Sequence, residues 1–226
     1  MTYDEVVFAS RTEVEAAIAA GPVHWRRCSA VGLNLRNLDL TGAHLHHCVF
    51  DEADLGDVQL DGAVVTGGTF VSAKLTGADL TDAVFTGVDL SQVRFTDALL
   101  ADAVFTGCKL VGADLTGLRG LAVTFTVTDC SLQLANLGDA NLRGLRLTGT
   151  DLSEADLWGT DLREAVFDNC RLRDTDLSHT KLYGADLRGA DLGEITLDAT
   201  THLAGAVISP RQAAEICGAL GITVME

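Results

Sequence analysis

The chain is short of positive charge, of proline and of long apolar runs, and each shortage closes off a class of protein. Sixteen lysines and arginines stand against 32 aspartates and glutamates, giving a formal net charge of −16. A surface of that sign repels nucleic acid and anionic membranes, and it attracts basic surfaces, including those that hold DNA. No apolar run approaches the ~18 residues needed to span a bilayer. The first thirteen residues carry acids where a secretory leader has its apolar core, so no signal peptide is expected and the location expected is cytoplasmic. Proline occurs twice, at Pro22 and Pro210, and apolar residues make up 47% of the chain, which argues against disorder. Also missing are a phosphate loop, a dinucleotide fingerprint and a nucleophile with a base and an orienting group. The six cysteines match neither a zinc nor a redox spacing. No catalytic residue, no metal site and no cofactor is expected, and a binding protein is expected in place of an enzyme.

What the chain does have is a period of five. Large apolar residues recur at Leu35, Leu40, Leu45, Phe50, Leu55 and onward to Leu110 and Leu115. Two residues before most of these stands a small one, such as Ala43, Cys48, Ala53, Ala63 or Ala73. Asp or Asn often lies between the two, and Thr-Gly or Ser-x often follows, as in GADLT, EADLG and GADLR. Five fits neither the 3.6 of a helix nor the 2.0 of a strand. It fits a square coil whose sides are five residues long. The large residue and the small one two before it point inward, the residue between them points outward, and the next two turn the corner. The pattern spans residues 23–200, about nine coils and a rod of roughly 40 Å if stacked strands lie ~4.8 Å apart. After Phe125, placed in the first register, the apolar positions run two residues later, from Leu132 through Leu192 to Leu197. A two-residue bulge or loop is expected near 126–131, either functional or a harmless insertion.

With A(D/N)LXX-like repeats over most of its length, the chain resembles the pentapeptide repeat proteins. The resemblance implies an all-β fold, the right-handed quadrilateral parallel β-helix; handedness comes from the family alone.

Both ends depart from the repeat. Within residues 1–22, Ser10-Arg11-Thr12-Glu13 reads as a capping box ahead of a short helix with Val14, Ala17 and Ile18 on one face, which would cover the open first coil. Within residues 201–226, Ser209-Pro210 starts a second helix, Gly221 stops it, and Ile222 to Met225 reads as a strand. This tail resembles the C-terminal module of the quinolone-resistance pentapeptide proteins, in which it forms a head-to-head dimer. The resemblance makes Ala213, Ile216, Cys217, Leu220, Ile222 and Val224 the expected dimer interface; a monomeric cap is the alternative.

Cys28, Cys48, Cys108, Cys130 and Cys170 fall on the small inward position and are expected to be packed apolar residues. His24 and His44 fall outward on successive coils, with His46 outward and His47 at a corner. They form either a solvated patch or an incomplete metal site. One side collects Val64, Val84, Val104 and Val166 with Thr66, Thr86, Thr106 and Thr148 and is nearly neutral, so it is a candidate contact face. Outward acids on the other sides resemble the charge of duplex DNA. Those expected to meet a partner are Asp151, Glu154, Asp156, Asp161, Asp176, Asp186, Asp191 and Glu194, with Trp158 and Tyr183 as contact aromatics. The family resemblance implies a protein that occupies the DNA-binding saddle of DNA gyrase or topoisomerase IV and protects it from quinolones or peptide toxins, touching neither nucleic acid nor membrane itself. A scaffold working through the neutral Val/Thr side is the alternative.

Overall fold

The computed structural model describes residues 2–120, 124–194 and 202–225. Nine three-residue strands pair in chain order as one parallel sheet: β1 (Thr2–Asp4), β2 (His24–Arg26), β3 (His44–His46), β4 (Val64–Thr66), β5 (Val84–Thr86), β6 (Val104–Thr106), β7 (Thr126–Thr128), β8 (Arg146–Thr148) and β9 (Val166–Asp168). This sheet is the first side of the coil. The second, third and fourth sides are ladders of single parallel bridges, running through Ser29, Val49 and Thr69, through Asn34, Asp54 and Lys74, and through Asp39, Gln59 and Asp79. The chain is therefore a quadrilateral parallel β-helix, with twenty residues to a turn where the repeat is uninterrupted, as from His44 to Val64.

The five-residue period follows from what each position must do. Ala63 with Val65, and Ala83 with Phe85, are fully buried pairs, while Val64 and Val84 between them are half-exposed. Two residues after the large apolar one, the backbone turns left-handed. Glycine serves there at Gly62 and Gly107, and Asp82, Asp97 and Glu154 adopt the same conformation. The outward Asp or Asn has a local task as well. Asp79 Oδ1 accepts the Thr81 N–H at 3.0 Å, Asp114 that of Thr116 at 3.1 Å and Asp156 that of Trp158 at 2.9 Å. Asn34 and Asn136 do the same for Arg36 and Gly138. Each closes an Asx turn that satisfies a corner N–H.

Inside, aromatic rings stack along the axis, Phe50 on Phe70 at 4.8 Å and Phe85 on Phe105 at 5.2 Å between centroids. The next residues of the Phe85 column are Val127 and Leu147 before Phe167. A cavity of about 20 Å³ lies against these smaller side chains. The five cysteines expected inside are buried, all in the column that follows the first side, with thiols directed at backbone carbonyls, as Cys48 Sγ to Trp25 O at 3.5 Å. Thr150 and Thr160 take the alanine slot further along. Thr160 Oγ1 donates to Leu137 O at 2.8 Å, which is how a hydroxyl is accommodated there.

Four features differ from the sequence expectation. The coil begins at residue 2, not 23: Tyr3 pairs with Trp25 and Val7 bridges Ser29. Helix α1 (Arg11–Ala19) is thus inserted within the first turn, burying Val14 and Ala17. Its Ser10 cap accepts the Glu13 N–H at 3.4 Å, but Glu13 reaches back to the Ala9 N–H, one residue before the cap.

The register shift also lies earlier than 126–131. Arg119 still bridges Leu99, twenty residues back, whereas Thr126 pairs with Val104, twenty-two back. The two extra residues therefore fall between Arg119 and Thr126; residues 121–123 are outside those described. Phe125 belongs to the second register: it occupies the small inward slot before Val127 and is buried.

At the other end, α2 (Pro210–Ala219) carries a complete capping box between Ser209 and Gln212. Residues 222–225 form no strand, because a strand makes its hydrogen bonds only to a neighbouring segment and among the described residues no segment is paired with them. The expected large apolar position Leu197, and the boundary at 200–201, lie outside the described residues.

Candidate partner-binding surface

The acids singled out from the sequence do not share a face. Asp151 and Asp191 project from the second side, Asp156 and Asp176 from the third and Asp161 from the fourth, while Asp186 continues the first side as the rung after Val166. Glu154 turns a corner with φ of 60°, and Glu194 is exposed beyond Asp191. Several are already paired. Asp161 binds the Arg163 guanidinium through both carboxylate oxygens, Asp186 that of Arg188, and Asp191 that of Arg173 at 2.8 Å; Asp151 faces Arg171 at 3.6 Å and accepts from Gln133 Nε2 at 3.0 Å. Arg188 holds the Asp186 carboxyl at about 2, and the Arg163 and Arg173 side chains likewise depress Asp161 and Asp191. For Asp151, partial burial is outweighed by the Ser153 hydroxyl and N–H, and its carboxyl too is lowered. A carboxylate held by an arginine on the same rod presents little net field to a partner.

Glu154, Asp156, Asp176 and Glu194 have no ion pair among the described residues, and further unpaired acids line the fourth side and its corners in the middle of the rod: Asp61, Asp79, Asp82, Asp97 and Asp102. The first cation along that side, Arg119, is turned to backbone carbonyls of Asp97 and Gly77. This patch is hidden when acids are counted by row without the cations; its signal was that Lys74, Arg94 and Lys109 fall by fives on the second and third sides, leaving the fourth without a cation before Arg119.

Trp158 is 45% exposed and packs edge-on against His179 at 5.6 Å, and Tyr183 is 74% exposed a coil and a side further on. At the tail, Ala213, Ile216 and Cys217 are half-exposed, while Leu220, Ile222 and Val224 are exposed. The residue of α2 that is buried is Gln212, whose Nε2 donates to Leu187 O at 2.7 Å and Ala190 O at 2.9 Å, so it ties the helix to the last described rungs. Its signal was the Ser-x-x-Gln spacing of the capping box.

The Val/Thr side is the continuous sheet β1–β9, with Val64, Val84 and Val104 in one row and Thr66, Thr86, Thr106, Thr128 and Thr148 in another. Its β2–β3 end carries His24 stacked on His44 at 4.9 Å and His46 edge-on to His47 at 4.4 Å. Among the described residues, no group of three or more His, Cys, Asp or Glu is placed to hold a metal ion, and no helix is long and apolar enough to cross a membrane.

Family profiles for pentapeptide repeats match residues 31–67, 130–169 and 159–193, and a second such profile matches residues 70–114. The chain belongs to the pentapeptide repeat family. Among solved pentapeptide repeat structures it is similar to two trypsin-treated variants of QnrB1, a plasmid-mediated fluoroquinolone resistance protein. One aligns with a TM-score of 0.66 and 24% identity, covering 87% of this chain and 97% of the other. The second aligns at 0.62 and 23%, covering 88% and 99%. A further match is HetL of the cyanobacterium Nostoc sp. strain PCC 7120, a pentapeptide repeat protein involved in heterocyst differentiation regulation, at 0.40 and 24%, covering 81% and 97%. A search by sequence against curated proteins found no match. At these identities the likeness establishes the fold and leaves function to be argued from the surface.

Proposed function

We propose that the protein is a non-enzymatic DNA mimic of the cytoplasm that occupies a DNA-binding surface of DNA gyrase or topoisomerase IV and shields that enzyme from quinolones or peptide toxins. The observation that carries this reading is a rod with net charge −16 that superposes on a fluoroquinolone resistance protein over 87% of its length. Charge complementarity supplies steering and salt sensitivity. The acids left unneutralised on the fourth side, with Asp156 and Asp176 on the third, bring charge to the partner; the tail residues from Ala213 to Val224 join two copies. The protein binds neither nucleic acid nor membrane. A gyrase supercoiling assay with rising amounts of the protein, with and without ciprofloxacin, at two salt concentrations, tests it. Inhibition or drug protection that weakens with salt is expected. Unchanged supercoiling and unchanged drug sensitivity at tens-of-micromolar protein would sink the reading.

A second reading is favoured by the continuous sheet itself: the first side, uncharged at its outward positions from β4 to β7, is a protein-contact face of a scaffold. Bulk added at Thr86 and Thr106 would then abolish partner capture, whereas Asp156→Asn would not.

A further inference from the structure

The first side carries an arrangement of charge that fits a second copy of the same chain. Its outward residues are uncharged over four consecutive strands, β4 to β7. Beyond them the two ends differ. Three strands from β6 in one direction lies β3, with His44 and His46; three strands in the other lies β9, with Val166 and Asp168. One strand further out are His24 and Arg26 on β2, and Asp186 and Arg188 on the rung that Asp186 makes with Val166. Asp186 is already held by Arg188, whereas neither His46 nor Asp168 forms an ion pair among the described residues.

We propose that two copies of this chain pair face to face through the first side, rods antiparallel, about a two-fold axis lying along β6. Rotation about that axis keeps the two outward rows apart and reverses the order of strands. Thr106 meets Thr106 of the second copy, Thr86 meets Thr128, and Thr66 meets Thr148. His46 then lies opposite Asp168 of the second copy, twice, by symmetry. His24 lies opposite Asp186, and Arg26 faces an Arg188 that Asp186 neutralises. Arg146 of one copy lies over Val64 of the other, where its aliphatic stem can cover the methyls. Parallel rods lose this match, because the β2–β3 end would face its own histidines and Arg26.

Nine rungs at ~4.8 Å and a width of about three residues give a face of roughly 40 by 10 Å. Two copies then bury on the order of 800–1,000 Å², at the lower limit for a specific interface, so the association is weak, with Kd on the order of micromolar. This pairing goes beyond the DNA-mimic reading and is independent of the tail contact.

The test uses the full chain carrying Cys217→Ser, so that the thiol outside the coil is removed, and Ile222→Asp with Val224→Asp, so that tail association is removed. Sedimentation velocity across a concentration series is expected to show a monomer–dimer equilibrium that Thr106→Arg abolishes, with circular dichroism unchanged. Asp168→Lys is expected to weaken it by about tenfold, and His46→Asp combined with Asp168→Lys to restore it. Thr106→Cys is expected to cross-link to itself with a short bismaleimide. Thr66→Cys is not, because its own copy lies four strands away, ~19 Å along the rod. A chain that stays monomeric at hundreds of micromolar overturns the proposal, as does a double charge swap that fails to recover association. Cross-linking at Thr66 as readily as at Thr106 overturns the two-fold axis. Loss of gyrase inhibition would overturn the DNA-mimic reading and leave this pairing untouched.

Discussion

Changing three aspartates of the third side, Asp114, Asp156 and Asp176, separates what these residues do for the coil from what they do for a partner. Each accepts a corner N–H two residues on, from Thr116, Trp158 and Ser178 respectively. Alanine removes acceptor and charge together, whereas asparagine keeps an acceptor of the same shape, as Asn34 and Asn136 demonstrate in this chain. A lost cap-like hydrogen bond costs about 1 kcal/mol, so the triple alanine variant is expected to lose about 3 kcal/mol. The triple asparagine variant is expected to stay within about 1 kcal/mol of the parent, since peripheral charge contributes little to folding. With a urea m-value of roughly 2–3 kcal/mol/M, the alanine variant's midpoint falls by about 1 M and the asparagine variant's by a third of that at most. The same asparagine variant is expected to inhibit gyrase more weakly and with a shallower salt dependence. Equal destabilisation by asparagine and alanine would refute the Asx account. Full retention of gyrase inhibition by the asparagine variant would remove the third side from the partner surface.

Stability is expected to be flat from neutral pH to about 5 and to fall on further acidification. The folded carboxyls of Asp161, Asp176, Asp186 and Asp191 lie below their ordinary 3.8, Asp186 at about 2. Their contribution is present above the unfolded value and is lost as pH falls through the folded ones, between about 4 and 2. Solvent screening keeps each share well under 1 kcal/mol, and urea titrations at stepped pH measure the sum. Val127→Leu is expected to raise stability by about 0.5–1 kcal/mol, because the added methylene enters the cavity of about 20 Å³ beside it; a lower melting temperature would show that this space is not usable. Gly68→Ala is expected to cost more than 2 kcal/mol. Its φ is 82°, and an added Cβ would stand 2.1 Å from Cys48 O, a backbone atom that cannot yield cheaply. Parent-like melting of that variant would mean the corner can be rebuilt.

The architecture was legible because one position in five must be large and the one two before it small, and most of the chain from Leu35 to Leu187 obeys this. The exceptions misled where a residue of the wrong size filled a slot. Phe125 in an alanine slot resembled a large position of the first register and moved the apparent insertion downstream. Tyr3 and Phe8 begin the coil without the repeat's usual residues, so the first turn read as a separate cap. The cysteines were readable as packing residues because their period alone placed them inside. The site was much less legible. Which face an acid occupies follows from counting fives, but which acids remain charged toward solvent depends on arginines that reach across the corner or along it. Arg163 folds onto Asp161 in its own rung, whereas Arg173 reaches Asp191 in the next. The pairing of Asp with Thr or Ser two residues later was visible, and it signalled a turn before it signalled a charge.

That double duty decides where selection for negative charge can be seen. On the sides an acceptor is required, and aspartate and asparagine both supply it, so aspartate there is only a preference. At the corners no Asx bond is needed and glycine is the least strained choice, yet the corner between the third and fourth sides reads Asp57, Gly77, Asp97, Gly117, Asp139, Gly159 on successive coils. Each carboxylate lies over the glycine of the following coil: the Cβ that Gly117 lacks would sit 3.0 Å from Asp97 Oδ1, and that of Gly159 2.3 Å from Asp139 Oδ1. The alternation sets these acids ~10 Å apart in place of ~4.8 Å. Their mutual repulsion falls from roughly 0.9 to 0.4 kcal/mol in water before salt is counted, and at physiological ionic strength ~10 Å already exceeds the Debye length. Aspartate in the left-handed corner carries a conformational cost that glycine avoids. A row that accepts this cost at every second coil, and clears the intervening coil to make room, keeps carboxylates along one edge with little mutual repulsion.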